Sequence, residues 1–234
     1  MCKKIPFCIF LAVLLFFFLL REGRCASEYT GERIVYQITP FGRAEYNDLG
    51  TVELDGQKMN LVTFKTQVLG FRDTEKIYSA PGDLSPIRVE REVTRWLGKE
   101  YLVETYDAKT FTLIIEKFKK NKRIKKYVFK EDGPIYNAIL LFFYLRQVPE
   151  IDIGWTFEAR IPEKFQIQLH SIEEIEVPAG KFMAYHFKSI PNKLELWISK
   201  DNTRTPLKIK GRGSFRYTLL MQEHNLTKGS TPNK

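Results

Sequence analysis

Three glutamates crowded together, Glu173, Glu174 and Glu176, are the nearest thing in this 234-residue chain to an acid–base set. Paired carboxylates hydrolyse glycosidic bonds when one delivers a proton and the other attacks or activates water. On a strand, however, Glu174 and Glu176 share one face while Glu173 shares the other with Ile175, and an exposed acidic edge explains that pattern better. Asp73 with Glu75, and Glu90 with Glu92, read the same way, with Arg88, Arg91 and Arg95 near enough to pair across strands. His170, His186 and His224 stand singly, without the close spacing of a zinc site. The sequence has no glycine-rich phosphate loop, Gly-x-Ser-x-Gly elbow or His-Glu-x-x-His helix. The expectation is a protein with no catalytic residues, metal or cofactor; an envelope glycan hydrolase using Glu174 or Glu176 is the minor alternative.

Binding chemistry is better represented. Lys117, Lys119, Lys120, Lys122, Arg123, Lys125 and Lys126 form a basic run interleaved with Phe118 and Tyr127. Such a run suits anionic lipid headgroups, each basic residue contributing about 1 kcal/mol at a charged membrane. It also suits a solvated hairpin whose lysines discourage edge pairing, which is the preferred reading. Nucleic acid is not an expected partner, because the chain carries an export signal. Apolar candidates for lining a ligand groove are Phe142, Leu145, Trp155 and Trp197.

That export signal opens the chain. Lys3 and Lys4 precede an apolar block from Phe7 to Leu20, and charge returns at Arg21. The block is short of the roughly 20 residues that span a bilayer comfortably, so residues 1–26 read as a cleaved signal peptide, with a retained anchor as the alternative. Cys25 invites a lipoprotein reading, but Glu22, Gly23 and Arg24 before it suit lipidation poorly. With Cys2 and Cys8 in the leader, the exported part has at most one thiol, Cys25, so no internal disulfide can form and stability must come from packing. Net charge falls from +9 to +6 once Lys3, Lys4, Arg21, Glu22 and Arg24 are set aside.

The elements that would position these groups are mostly strands. Period-two alternation begins at Ile34, Tyr36 and Ile38, and returns through Val62, Phe64, Thr66 and Val68, and through Val89, Arg91 and Val93. Asn47 to Gly50 reads as a hairpin turn, and Val177-Pro178-Ala179-Gly180 as a three-residue hairpin with a bulge. Pro134 to Gln147 has helical spacing and is apolar almost all round, which predicts one helix plugging or packing on the sheet. About a dozen strands and one helix, in one domain over 27–224, imply a mainly β fold: a single curved antiparallel sheet forming an open or closed barrel. The polar residues 225–234 are expected to be a disordered tail.

The order of signals resembles a known family. Gly31-Glu32-Arg33 opens the first strand, and Phe71 and Asp73 precede an acidic strand, with Leu84 and Pro86 beginning the next. Tyr144-Leu145-Arg146 closes the helix, Gly154 to Phe157 and the Val177 to Gly180 turn with Phe182 follow, and Leu196-Trp197-Ile198-Ser199 comes with Asp201, Arg204 and Pro206. Over about residues 31–222 this is similar to the bacterial periplasmic domain of unknown function 3108. The resemblance implies an exported, barrel-like antiparallel protein akin to folds that handle lipids or lipoproteins, and it supplies no catalytic residues. The basic stretch from Lys117 to Lys126 departs from the family pattern. The reading is a non-enzymatic, periplasmic envelope protein binding a lipid-like or lipoprotein ligand, with a protein–protein interaction module in envelope assembly as the alternative.

Overall fold

The computed structural model describes residues 29–96, 98–149, 151–212 and 216–228. The leader lies outside them. Fourteen strands form one antiparallel sheet: β1 (Tyr29–Thr39), β2 (Arg43–Leu54), β3 (Gln57–Val68), β4 (Phe71–Ser79), β5 (Pro86–Arg95), β6 (Gly98–Asp107), β7 (Thr112–Lys119) and β8 (Lys122–Lys130), then, after helix α1 (Ala138–Leu145), β9 (Thr156–Ile161), β10 (Glu163–Val177), β11 (Gly180–Ile190), β12 (Leu194–Ser199), β13 (Pro206–Gly211) and β14 (Tyr217–Lys228). The spatial order runs from β8 down to β1, crosses to β14, and continues down to β9. Every neighbour is a sequence neighbour except the β1–β14 pair, in which Ile34 lies opposite His224 and Ile38 opposite Leu219.

The sheet is open: β8 and β9 are its edges and do not pair, so the closed-barrel form of the expectation is excluded. It is nevertheless curled. Phe143 of α1 stacks on Tyr46 of β2 at 3.8 Å, while Tyr144 of the same helix packs on Phe157 beside β10 at 5.4 Å. In a flat sheet β2 and β9 would stand about 34 Å apart, several times the radius of a helix, so both contacts require the strands to wrap around α1.

Alternation was the right guide to the core. Ile34, Tyr36 and Ile38, then Val62 and Phe64, then Ile77 and Val89 turn inward, joined from the other side by Leu169, Phe187, Leu196, Ile209, Leu219 and Met221. The helix buries Leu140, Leu141, Phe142, Phe143 and Leu145 among them. Each such side chain contributes roughly 2 kcal/mol on burial, which is why an eight-residue helix of negligible independent stability holds its place.

Local details differ from the sequence reading. The helix begins at Ala138 rather than Pro134, because the Asn137 side chain accepts from the Ile139 and Leu140 amides at 2.9 and 3.1 Å and ends the extended segment before it. Asn47 to Gly50 is not a hairpin turn. It is a bulge inside β2, with Gly50 N–H donating to Asp48 Oδ1 at 2.8 Å. The reversal comes at Asp55-Gly56, where φ is +51° and +76° between the paired Leu54 and Gln57, a type I′ hairpin. At the β10–β11 hairpin Val177 pairs with Gly180, leaving a two-residue loop of Pro178 and Ala179. Strand β14 continues to Lys228, paired with β1, so residues 225–228 belong to the sheet rather than a tail, and residues 229–234 lie outside the described residues.

Candidate functional site

The segment from Glu131 to Trp155 joins one sheet edge to the other and carries α1 across the inner face. Its two ends are fastened differently. At the C-terminal end Arg146 grips Glu32 of β1, with Nη1–Oε1 at 2.9 Å and Nη2–Oε2 at 2.8 Å, and His224 of β14 reaches the same carboxylate at 2.8 Å. Burial raises the Glu32 carboxyl, but hydrogen bonds from His224 and Arg146 outweigh it and hold the group below the ordinary range. Arg204 donates to the carbonyl of Val148, just beyond the helix, and so ties the connector to the β12–β13 turn.

At the N-terminal end the fastening leaves space. The turn from Asp83 to Pro86, the turn from Tyr106 to Thr112, and Pro134, Ile135, Tyr136 and Tyr144 enclose a cavity of about 240 Å³. Its walls are mostly apolar. The two carboxylates at its rim are committed to their own turns: Asp83 accepts from Ser85 N–H at 2.6 Å, and Asp107 from Lys109 N–H at 2.8 Å. Behind it the rings continue as a cluster, with Tyr136 and Tyr144 each about 5.5 Å from Phe157, and Phe157 stacked on Trp155 at 6.0 Å.

A polar network lies beneath one wall. Tyr106 donates to Glu104 at 2.6 Å, and Arg91 holds Asp73 with Nε at 2.9 Å and lies 3.5 Å from Glu75. Arg91 is committed mainly to Asp73. Burial therefore dominates at Glu75 and pushes its carboxyl up to about 7, against the pull of Arg91.

Over residues 33–219 the chain matches the family model described as "Protein of unknown function (DUF3108)". The chain belongs to that family. A search of curated proteins finds no match. In this DUF3108 sheet some of the residues on which the resemblance rested meet in space: Glu32 clasps Arg146, and the Asp201 carboxylate caps the turn that presents Arg204, while Asp73 is held by Arg91 of the next strand.

Of the residues picked as a groove, Phe142, Leu145 and Trp197 belong to one buried cluster and Trp155 packs against it. Phe142 and Leu145 are buried in the core, and Trp155 is half-buried, edge-on to Phe187 at 6.3 Å. Trp197 is buried too, its ring stacked on His186 at 4.0 Å and its indole N–H donating to Glu173 at 2.7 Å. None of the four borders the 240 Å³ cavity. Glu174 and Glu176 are exposed near the β10–β11 turn.

His186 is less solitary than its spacing suggested: Glu173, Glu195 and Ser171 approach it at 3.2, 3.2 and 3.3 Å across three strands. Burial is the largest influence on the ring and lowers its proton affinity. Among the described residues, no group of three or more His, Cys, Asp or Glu side chains is arranged to hold a metal ion, and no helix is long and apolar enough to cross a membrane.

The basic run occupies the β7–β8 hairpin. Lys117 pairs with Glu100 at 2.7 Å and Arg123 with Glu116 at 2.6 Å, whereas Lys119, Lys120, Lys122, Lys125 and Lys126 have no ion pair among the described residues. The turn at Lys120-Asn121 and the cavity lie at opposite ends of β7, about 25 Å apart. Neither Tyr106 nor Tyr136 had a sequence signal that set it apart from a core aromatic.

Proposed function

We propose that this chain is a non-enzymatic protein exported to the periplasm, and that it holds the apolar part of a lipid-like ligand in the cavity between the α1 segment and the β4–β5 and β6–β7 turns. The observation that carries this reading is a cavity of about 240 Å³ walled by Tyr106, Phe111, Ile135, Tyr136 and Tyr144, with its rim carboxylates occupied by their own turns. Such a space excludes water from a chain end or ring and offers no acid–base pair to transform it. It is smaller than a typical drug-sized site, so the polar part of the ligand stays outside at the rim.

Gently purified protein examined by native mass spectrometry, followed by titration with a fluorescent fatty-acid probe, tests the reading. The protein binds the probe, and Ile135→Trp, which fills the cavity, weakens binding at least about tenfold while thermal unfolding stays close to that of the parent. Absence of probe binding by the parent, or equal binding by the filled variant, overturns it.

A further inference from the structure

The two edges of the sheet are finished in different ways. Strand β9 is short and covered: Tyr136 N–H donates to the Arg160 carbonyl at 2.8 Å, and Arg160 is buried, pairing with Asp132 at 2.6 Å and Glu158 at 2.8 Å. Strand β8 is nine residues long, and all but Phe129 are exposed. Its outer edge makes no backbone hydrogen bond among the described residues. A bare row of amides and carbonyls of that length is a template for another strand.

The side chains state which strand. Lys122, Arg123, Lys125, Lys126 and Lys130 give β8 five cations and no anion. Among the described residues only Arg123 of these is paired, with Glu116. Between the lysines Ile124, Tyr127 and Val128 are 45, 43 and 59% exposed. Lys126, Val128 and Lys130 share one face by alternation, as do Lys125, Tyr127 and Phe129 on the other, so each face presents charge beside apolar surface. Lysines on an edge repel a second copy of the same edge, which is their protective effect. The same charges favour a strand that brings carboxylates.

We infer that β8 is a docking edge for an extended acidic segment of another protein, which adds as a fifteenth strand with its carboxylates beside the lysines and its apolar residues beside Tyr127 and Val128. Main-chain hydrogen bonds supply the grip and the charge pattern supplies the choice. A lipid surface would use the lysines but not the backbone row. This inference is independent of the cavity and stands if the cavity holds nothing.

The probe is a synthetic peptide of alternating glutamate and valine, about ten residues long to match the strand, and a second copy N-methylated at alternate residues so that it keeps its charge and loses its donors. Fluorescence anisotropy is expected to show binding by the purified protein that weakens as salt is raised. Lys125→Glu combined with Lys126→Glu, and the N-methylated peptide with the parent protein, should each lose at least about tenfold. Amide exchange should slow within Lys122–Lys130. Equal binding of the methylated peptide, equal binding by the charge-reversed variant, or no peptide binding with capture by phosphatidylglycerol vesicles instead, each overturns the proposal.

Discussion

Arg146, at the last turn of the helix, meets Glu32 of the first strand in a two-point contact of 2.8 and 2.9 Å, with the Glu32 side chain 5% exposed. This pair joins the edge-to-edge connector to the middle of the sheet. Removing one partner strands the other as a buried charge. Arg146→Met should therefore destabilise the fold by about 3 kcal/mol, and adding Glu32→Gln should recover part of that loss. Chemical denaturation of both single variants and the double variant measures the coupling.

Glu75 gives the fold a sensitivity to alkali. Its carboxyl titrates near 7 in the folded protein against an ordinary value of 4.5, so between those values the native state binds the proton and the unfolded state does not. Stability from this group is complete below 4.5 and is lost as pH rises through about 7, a change of about 3 kcal/mol. Glu75→Gln should flatten that slope. Urea titrations at about pH 5 and pH 8 compare parent and variant, and a slope that persists in the variant would assign it elsewhere.

Asn137 sets where the helix starts. Asn137→Ala leaves the Ile139 and Leu140 amides without their acceptor and should cost about 1 kcal/mol, whereas Asn137→Asp keeps the acceptor and most of the stability. Thermal melts of the two variants separate the cap from the loss of side-chain volume.

Gly70 is fixed by two demands at once. Its φ is +70°, and a methyl group there would enter the indole of Trp96, which lies across the bare backbone. Gly70→Ala should destabilise by about 1–2 kcal/mol and displace Trp96, read as a change in tryptophan emission. In a Trp96→Ala background only the backbone part of that cost remains.

Much of the sheet was legible because its signal is local. Buried residues fall on alternate positions at Ile34, Tyr36 and Ile38 of β1 and at Val62 and Phe64 of β3, and the helix declared itself through an apolar block with no strand period. What was hidden is non-local or chemically ambiguous. Asp48 and Gly50 carry the composition of a turn, yet the same residues make a bulge when the partner strand runs past them. Whether a long sheet closes depends on what covers its edges, and that is not written in any one strand. Glu32, Arg146 and His224 are far apart in sequence, so no spacing rule joins them. Trp197 was named from aromatic content alone, and its stacking on His186 and its bond to Glu173 join three strands that no spacing in the sequence brings together.

The pairing of β1 with β14 in the middle of the sheet also shapes how the molecule is made. Val35 opposite Glu223 closes a loop of nearly two hundred residues, the one non-local step in an otherwise sequential meander, and chain-closure entropy makes such a step slow. The first seven hairpins form early, but their inner edge at β1 waits for the last strand to arrive. Because Tyr29 and Lys228 lie side by side in that ladder, a circularly permuted chain, with these residues linked and new ends opened between Asp152 and Ile153, would lay down all fourteen strands in spatial order. Such a rearranged chain reaches the same sheet by neighbour-to-neighbour steps alone and so folds faster.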